Sequence, residues 1–216
     1  MPQDLYILLI TAVSVGFIHA LAGPDHYVPF IAMAKAAGWS KTKTFLITFF
    51  SGLAHIFSAI LLAFAGILFS MKLSHINAIE SLRGNVAGWA LIAFGLAYFV
   101  WGLRRVFKGS MESKKELKAE GTTKILPWIL FTMFIFGPCE PLIPIIMCAA
   151  AKTGMAGAIL VSAVFGAVTV GMMLSIVMVA SFGINLIPFG KLEKFSHALA
   201  GATICLCGMA IQFLGL

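Results

Sequence analysis

The sequence predicts an all-α integral membrane protein of about six transmembrane helices, folded as two inverted three-helix repeats with broken first helices. Three observations predict it. Of the 216 residues, 61% are hydrophobic and 11% charged, with a mean hydropathy of +1.02, whereas soluble domains carry about 25% charge. Apolar runs of the roughly 20 residues that a crossing needs recur along the chain. Two Gly/Pro breaks sit at matching depths in two of those runs. Disorder is excluded by the hydrophobicity, and an ordinary water-soluble enzyme by the scarcity of charge.

The first run is Leu5–Ala22. The preceding Met1-Pro2-Gln3-Asp4 lacks the basic start of a cleaved leader, so the run reads as a retained span. The string Gly23-Pro24-Asp25-His26 comes next. Tyr27–Ala37 is apolar but too short to cross, and reads as a re-entrant or interfacial piece that Asp25 is suited to cap. Thr44–Ser70 is the second span, with His55 near its middle, and Val86–Leu103 the third. The mixed-charge segment Arg104–Lys124 divides the chain. Ile125–Ala151, interrupted by Gly137-Pro138-Cys139-Glu140-Pro141, is the fourth span, Met155–Ala180 the fifth and His197–Leu216 the sixth. The organisation expected is therefore a first half over 1–103, a charged cytoplasmic linker over 104–124 and a second half over 125–216.

The net charge of +7 invites a nucleic-acid reading, but the basic residues lie between apolar runs. Twelve of the fifteen Lys and Arg fall after spans one, three and five, and three (Lys72, Arg83, Lys152) on the other side. The positive-inside rule then places both termini outside the cytoplasm, in an inner (plasma) membrane, with lipid and not nucleic acid as the surrounding partner. A homo-oligomer is left open. All four cysteines, Cys139, Cys148, Cys205 and Cys207, lie in apolar runs, which argues against a secreted disulfide framework.

Three spans per half force the halves into opposite orientations, the arrangement of transporters whose sites form where helices break near the midplane. His19 lies 14 residues into its span and Cys139 14 residues into its own. Ionisable groups in hydrocarbon are costly and usually functional. Within the runs they are His19, Asp25, His26, His55, Cys139 and Glu140, with Gly23, Pro24, Gly137, Pro138 and Pro141 breaking the helices around them. Imidazole, carboxylate and thiolate together suit a divalent transition ion, whereas Mg²⁺ or Ca²⁺ prefers oxygen alone. His75 and His197, at span ends, read as interfacial. Met172, Met173 and the other cysteines read as packing residues.

His19-Ala-Leu-Ala-Gly23-Pro24-Asp25-His26 resembles the first-helix signature of nickel/cobalt transporters, closest to the short prokaryotic and chloroplast members. Ser51-Gly52-Leu53-Ala54-His55 is similar to a second signature of that family, a Gly-His pair, with Ala54 in place of the glycine. Gly137-Pro138-Cys139 is similar to the Pro-Cys break of related exporters and urease-accessory-type proteins. The resemblance implies a permease for a divalent cation such as Ni²⁺ or Co²⁺. His19, Asp25, His26 and His55 would form or gate its path, and Cys139 and Glu140 would complete it. No cofactor beyond the transported ion is expected. No nucleotide-binding Gly-x-x-x-x-Gly-Lys-[Ser/Thr] loop occurs, so the expectation is a transporter and not an enzyme. Two alternatives stand beside it. One is an exporter of sulfite or another anion, for which a basic group inside a span is wanted. The other is a transmembrane thiol–disulfide carrier, which needs a second cysteine in the first half.

Overall fold

The structure, a computed structural model, describes residues 2–107, 120–186 and 190–214. Among these residues there are seven α-helices, two short 3-10 segments and no strand: α1 (Pro2–Ala22), a 3-10 turn (Pro24–His26), α2 (Val28–Ala36), α3 (Lys41–Leu68), α4 (Leu73–Phe107), α5 (Glu120–Phe136), α6 (Leu142–Leu186), a second 3-10 turn (Gly190–Phe195) and α7 (Ser196–Leu214). Five helices are long and apolar enough to cross a membrane. Their outer faces carry large apolar side chains such as Phe57, Trp89 and Leu206, each more than half exposed, a surface that lipid covers and water would not tolerate. The chain is an all-α membrane protein.

Proline sets the breaks. Pro24 has no N–H to donate and disfavours helical backbone in the residue before it, so α1 stops at Ala22. Pro138 and Pro141 do the same between Phe136 and Leu142. The expected fourth span is consequently a broken one, because α5 contributes only the short apolar stretch Ile125–Phe136 before the chain resumes in α6. That helix is itself two segments, meeting at Gly154, whose φ of 75° and ψ of −175° leave helical space. Such a positive φ suits glycine alone at little cost, and it reverses the chain between residues 142–153 and 155–186.

Packing shows the directions. Lys152 at this reversal pairs with Asp4 of α1 at 3.8 Å, and Gly16 of α1 packs on Phe165, so α1 and the second segment of α6 run parallel. Gly52 of α3 meets Val170 and Met173 while Gly166 meets Ile56, so α3 and that segment run antiparallel. In α4 and α7, Gly95 lies on Cys205 and Gly102 on Ala198, where a Cβ at Gly102 would fall 2.5 Å from the Ala198 nitrogen. This pair is also antiparallel, in backbone contact. Each half therefore reads broken helix, long helix, long helix, with the corresponding long helices reversed between the halves.

Three expectations need correction. The third span begins not at Val86 but at Leu73. Polar residues between Ser74 and Asn85 depress the local hydropathy, yet the helix continues because its charges are paired. Arg83, expected in an outer loop, therefore lies inside a membrane helix. Asp25 does not cap α2, whose first turn has no side-chain cap; its carboxylate is engaged by His26 instead. Most of the charged linker, residues 108–119 with Lys108, Lys114, Lys115 and Lys118, lies outside the described residues.

Candidate metal centre

The first break brings a histidine from each of three places. His19 stands one turn before the end of α1, His26 in the 3-10 turn, and His55 is the fifteenth residue of the 28-residue α3. Each offers a ring nitrogen, and the three atoms lie within 4.8 Å of one another. Ring centroids are 4.6 Å apart for His19–His26 and 5.1 Å for His26–His55. His26 and His55 are buried and His19 is half-buried.

The partners of the other ring nitrogens fix the tautomers. His26 Nδ1 lies 3.1 Å from Asp25 Oδ1 and 3.2 Å from the Gly23 carbonyl. Both are acceptors, so Nδ1 carries a hydrogen, and in the neutral ring Nε2 keeps its lone pair. His55 Nδ1 donates to the Phe134 carbonyl at 3.3 Å, again leaving Nε2 as the acceptor. Neither Nε2 has a partner, although both are buried. A buried unpaired imidazole nitrogen is costly, and a metal ion removes that cost. Donation of the far N–H to a carboxylate or a backbone carbonyl is also how metal-bound histidines are usually oriented. Metal–nitrogen bonds of about 2.0–2.1 Å would draw the three nitrogens closer than they stand here.

The second break supplies orientation. Helix α5 ends at Phe136, so its last carbonyls lack i+4 partners, and the Phe134 carbonyl keeps an i+3 bond from the Gly137 N–H at 3.1 Å. The Phe134 carbonyl holds His55, and the Ile135 carbonyl accepts from Arg83 at 2.7 Å. Between the prolines, the Cys139 N–H donates to Glu80 Oε1 at 2.7 Å. Glu80 is fully buried and pairs with Arg83 at 2.6 Å, and Arg83 also donates to Ser58 at 2.7 Å. The ion pair thus ties α4 to α3 and to both flanks of the break.

The residues expected at the site are partly assembled. His19, His26 and His55 form one cluster, Asp25 stands against His26, and the Cys139 sulfur lies 3.7 Å from His19 Nε2. Glu140 is exposed and stands apart from the cluster, on the wall of a cavity of about 460 Å³ that His19, Asp25 and His26 also line. Asn85 and Gln212, bonded to each other at 2.5 Å, stand on another wall. Glu80 and Arg83 were missed. Their signal was the Glu-x-x-Arg spacing, which puts opposite charges on one helix face. His197 takes a structural place, between Tyr98 at 2.7 Å and Arg105 at 3.0 Å.

No protein-family model, curated protein or solved structure matches this chain.

Proposed function

We propose that the protein carries a divalent transition-metal cation of the Ni²⁺ or Co²⁺ type across a membrane, binding it at His19, His26 and His55. Asp25 supplies negative charge beside the site, the buried Cys139 sulfur stands 3.7 Å from His19 Nε2, and Glu140 lies on the cavity wall. One observation carries the reading: the Nε2 atoms of His26 and His55 are buried and unpartnered, and His19, His26 and His55 each offer a ring nitrogen within 4.8 Å of the others'. Nitrogen-rich ligation with a carboxylate behind it favours such ions over Mg²⁺ and Ca²⁺.

The anion alternative draws less support. Arg83 is the basic group it asked for, but that guanidinium is engaged by Glu80, Ser58 and the Ile135 carbonyl. We further infer an inner-membrane location with both termini non-cytoplasmic. The described residues Lys35, Lys41, Lys43, Arg104 and Arg105 gather at the end of the bundle where α3 starts, and Lys72 and Lys152 lie at the other, which fits the positive-inside rule.

Flux of radiolabelled Ni²⁺ and Co²⁺ into proteoliposomes, with sulfite in parallel, tests the substrate. Metal flux is expected; sulfite flux without metal flux overturns the proposal. Binding followed by calorimetry from pH 8 to 5.5 tests the ligands. Protons compete with metal for imidazole, so affinity is full where the three rings are neutral and falls as pH drops far enough to protonate them. Parent-like binding by His19→Ala, His26→Ala and His55→Ala at every pH in this range removes the histidines as ligands.

A further inference from the structure

We propose that α3 carries the second leg of the ion path, with the Ser51 and Thr48 hydroxyls lining a closed passage from the three-histidine centre to a vestibule at Thr44 and Lys41. The inference rests on the transport function proposed for the metal centre and deepens it by assigning residues on the side away from the first cavity.

Among the described residues, one cavity reaches the centre. His19, Asp25 and His26 line the 460 Å³ cavity. A second cavity of about 390 Å³ opens at the other end of α3, among Trp39, Lys41, Thr44, Met178 and Phe182. Between His55 and Thr44 the described packing is closed: Thr48 and Ser51 have no exposure, and Met173 on the facing segment of α6 has 1%. A carrier that opens its site to one side and seals the other looks like this, provided the seal can conduct when it loosens.

The hydroxyls mark where it conducts. Helical Ser and Thr ordinarily bond back to a carbonyl three or four residues earlier. Thr11, Thr44, Ser58, Thr132, Thr153, Ser162, Ser175 and Thr203 all do so here. Thr48 and Ser51 do not, and their buried oxygens have no partner. Leaving two hydroxyls unsatisfied in an apolar seal is costly, and plain packing would be served as well by Val and Ala. Together with Thr44 and His55 they occupy positions 44, 48, 51 and 55, a single α-helical face. At about 1.5 Å per residue, the successive steps are roughly 4.5–6 Å, short enough for an ion shedding water to exchange one oxygen ligand for the next. A third unpartnered hydroxyl, that of Thr169, sits on α6 beside Gly16, near the level of the centre. At the vestibule Lys35 and Lys41 face Glu193, a mouth with excess positive charge that releases a cation and does not hold it.

The test uses the full chain, with Ni²⁺ binding measured by calorimetry in detergent and radiolabelled Ni²⁺ flux measured in proteoliposomes. Thr48→Val/Ser51→Ala keeps the volume and removes both oxygens. It should bind Ni²⁺ with the parent's affinity to within a few-fold, and carry it about tenfold more slowly or worse, the size of one to two lost contacts to a charge. Thr48→Ser, which keeps an oxygen, should carry at near the parent's rate. If the double variant fails to fold, Thr48→Val alone is read in the same way, with a loss of several-fold expected. Parent-like flux in the oxygen-free variants overturns the path while leaving the metal centre standing. A parent protein that neither binds nor carries Ni²⁺ removes the functional proposal, and the path with it.

Discussion

The two helix breaks have the same design and different contents. Around the first, Gly23–His26, lie the groups able to ligate: His19, Asp25, His26 and, across on α3, His55. Around the second, Gly137–Pro141, lie groups that hold others in place: the Phe134 and Ile135 carbonyls, the Cys139 N–H, and the Glu80–Arg83 pair that receives two of them. All three imidazoles come from the first half of the chain and the acceptor that orients His55 comes from the second. A helix break exposes the same orphan backbone groups wherever it occurs. Neighbouring side chains decide its use, either by taking those groups for structure or by leaving their own lone pairs free for an ion. The contrast also explains why Glu140, on the second break, is exposed on the cavity wall.

Removing one side of this division at a time sharpens it. The largest effect is expected on the ligating side: His26→Ala or His55→Ala should weaken Ni²⁺ binding by more than the 10–100-fold usual for an outer-shell partner. Calorimetry at pH 8 would show it, and parent-like binding would move the centre elsewhere. On the supporting side, Glu80→Gln or Arg83→Met alone leaves a buried charge without its partner, at a cost of about 3–5 kcal/mol. Thermal unfolding in detergent should fall steeply for each single variant and less for the double one; a double variant as unstable as the sum of the singles would mean the two act separately. The smallest of the three is Asp25→Asn. It keeps an acceptor for His26 but loses the charge, so affinity should drop within the same 10–100-fold range, with the pH midpoint still set by histidine.

Much of this was legible in the residue order, and the exceptions have definite causes. Apolar length gives the crossings, and proline gives the breaks, because both act through local backbone and solvation. The grouping of His19, His26 and His55 follows from ionisable residues having no stable place facing lipid. The start of α4 was not legible. A hydropathy window averages Glu80 and Arg83 as two unfavourable charges, whereas in the bundle they are one neutral pair wedged against a break more than fifty residues away. The role of the Phe134 carbonyl was hidden for a related reason: a backbone acceptor leaves no mark on residue identity, and only folding shows which carbonyl faces His55. Asp25 was misplaced as a cap because sequence spacing cannot tell a free N–H from an adjacent imidazole competing for the same oxygen.

The position of His55, halfway along the 28 residues of α3, also has an electrical consequence. A divalent ion that comes to rest there from either face traverses roughly half of the transmembrane voltage drop. Two charges over half the field equal one elementary charge over all of it, or about 2.3 kcal/mol for each 100 mV. Loading the centre and emptying it are then separate voltage-sensitive steps of similar size. A resting potential that draws an ion into the site from outside also opposes its return by the same route, so under the transport function proposed above the depth of one histidine would impose a directional bias.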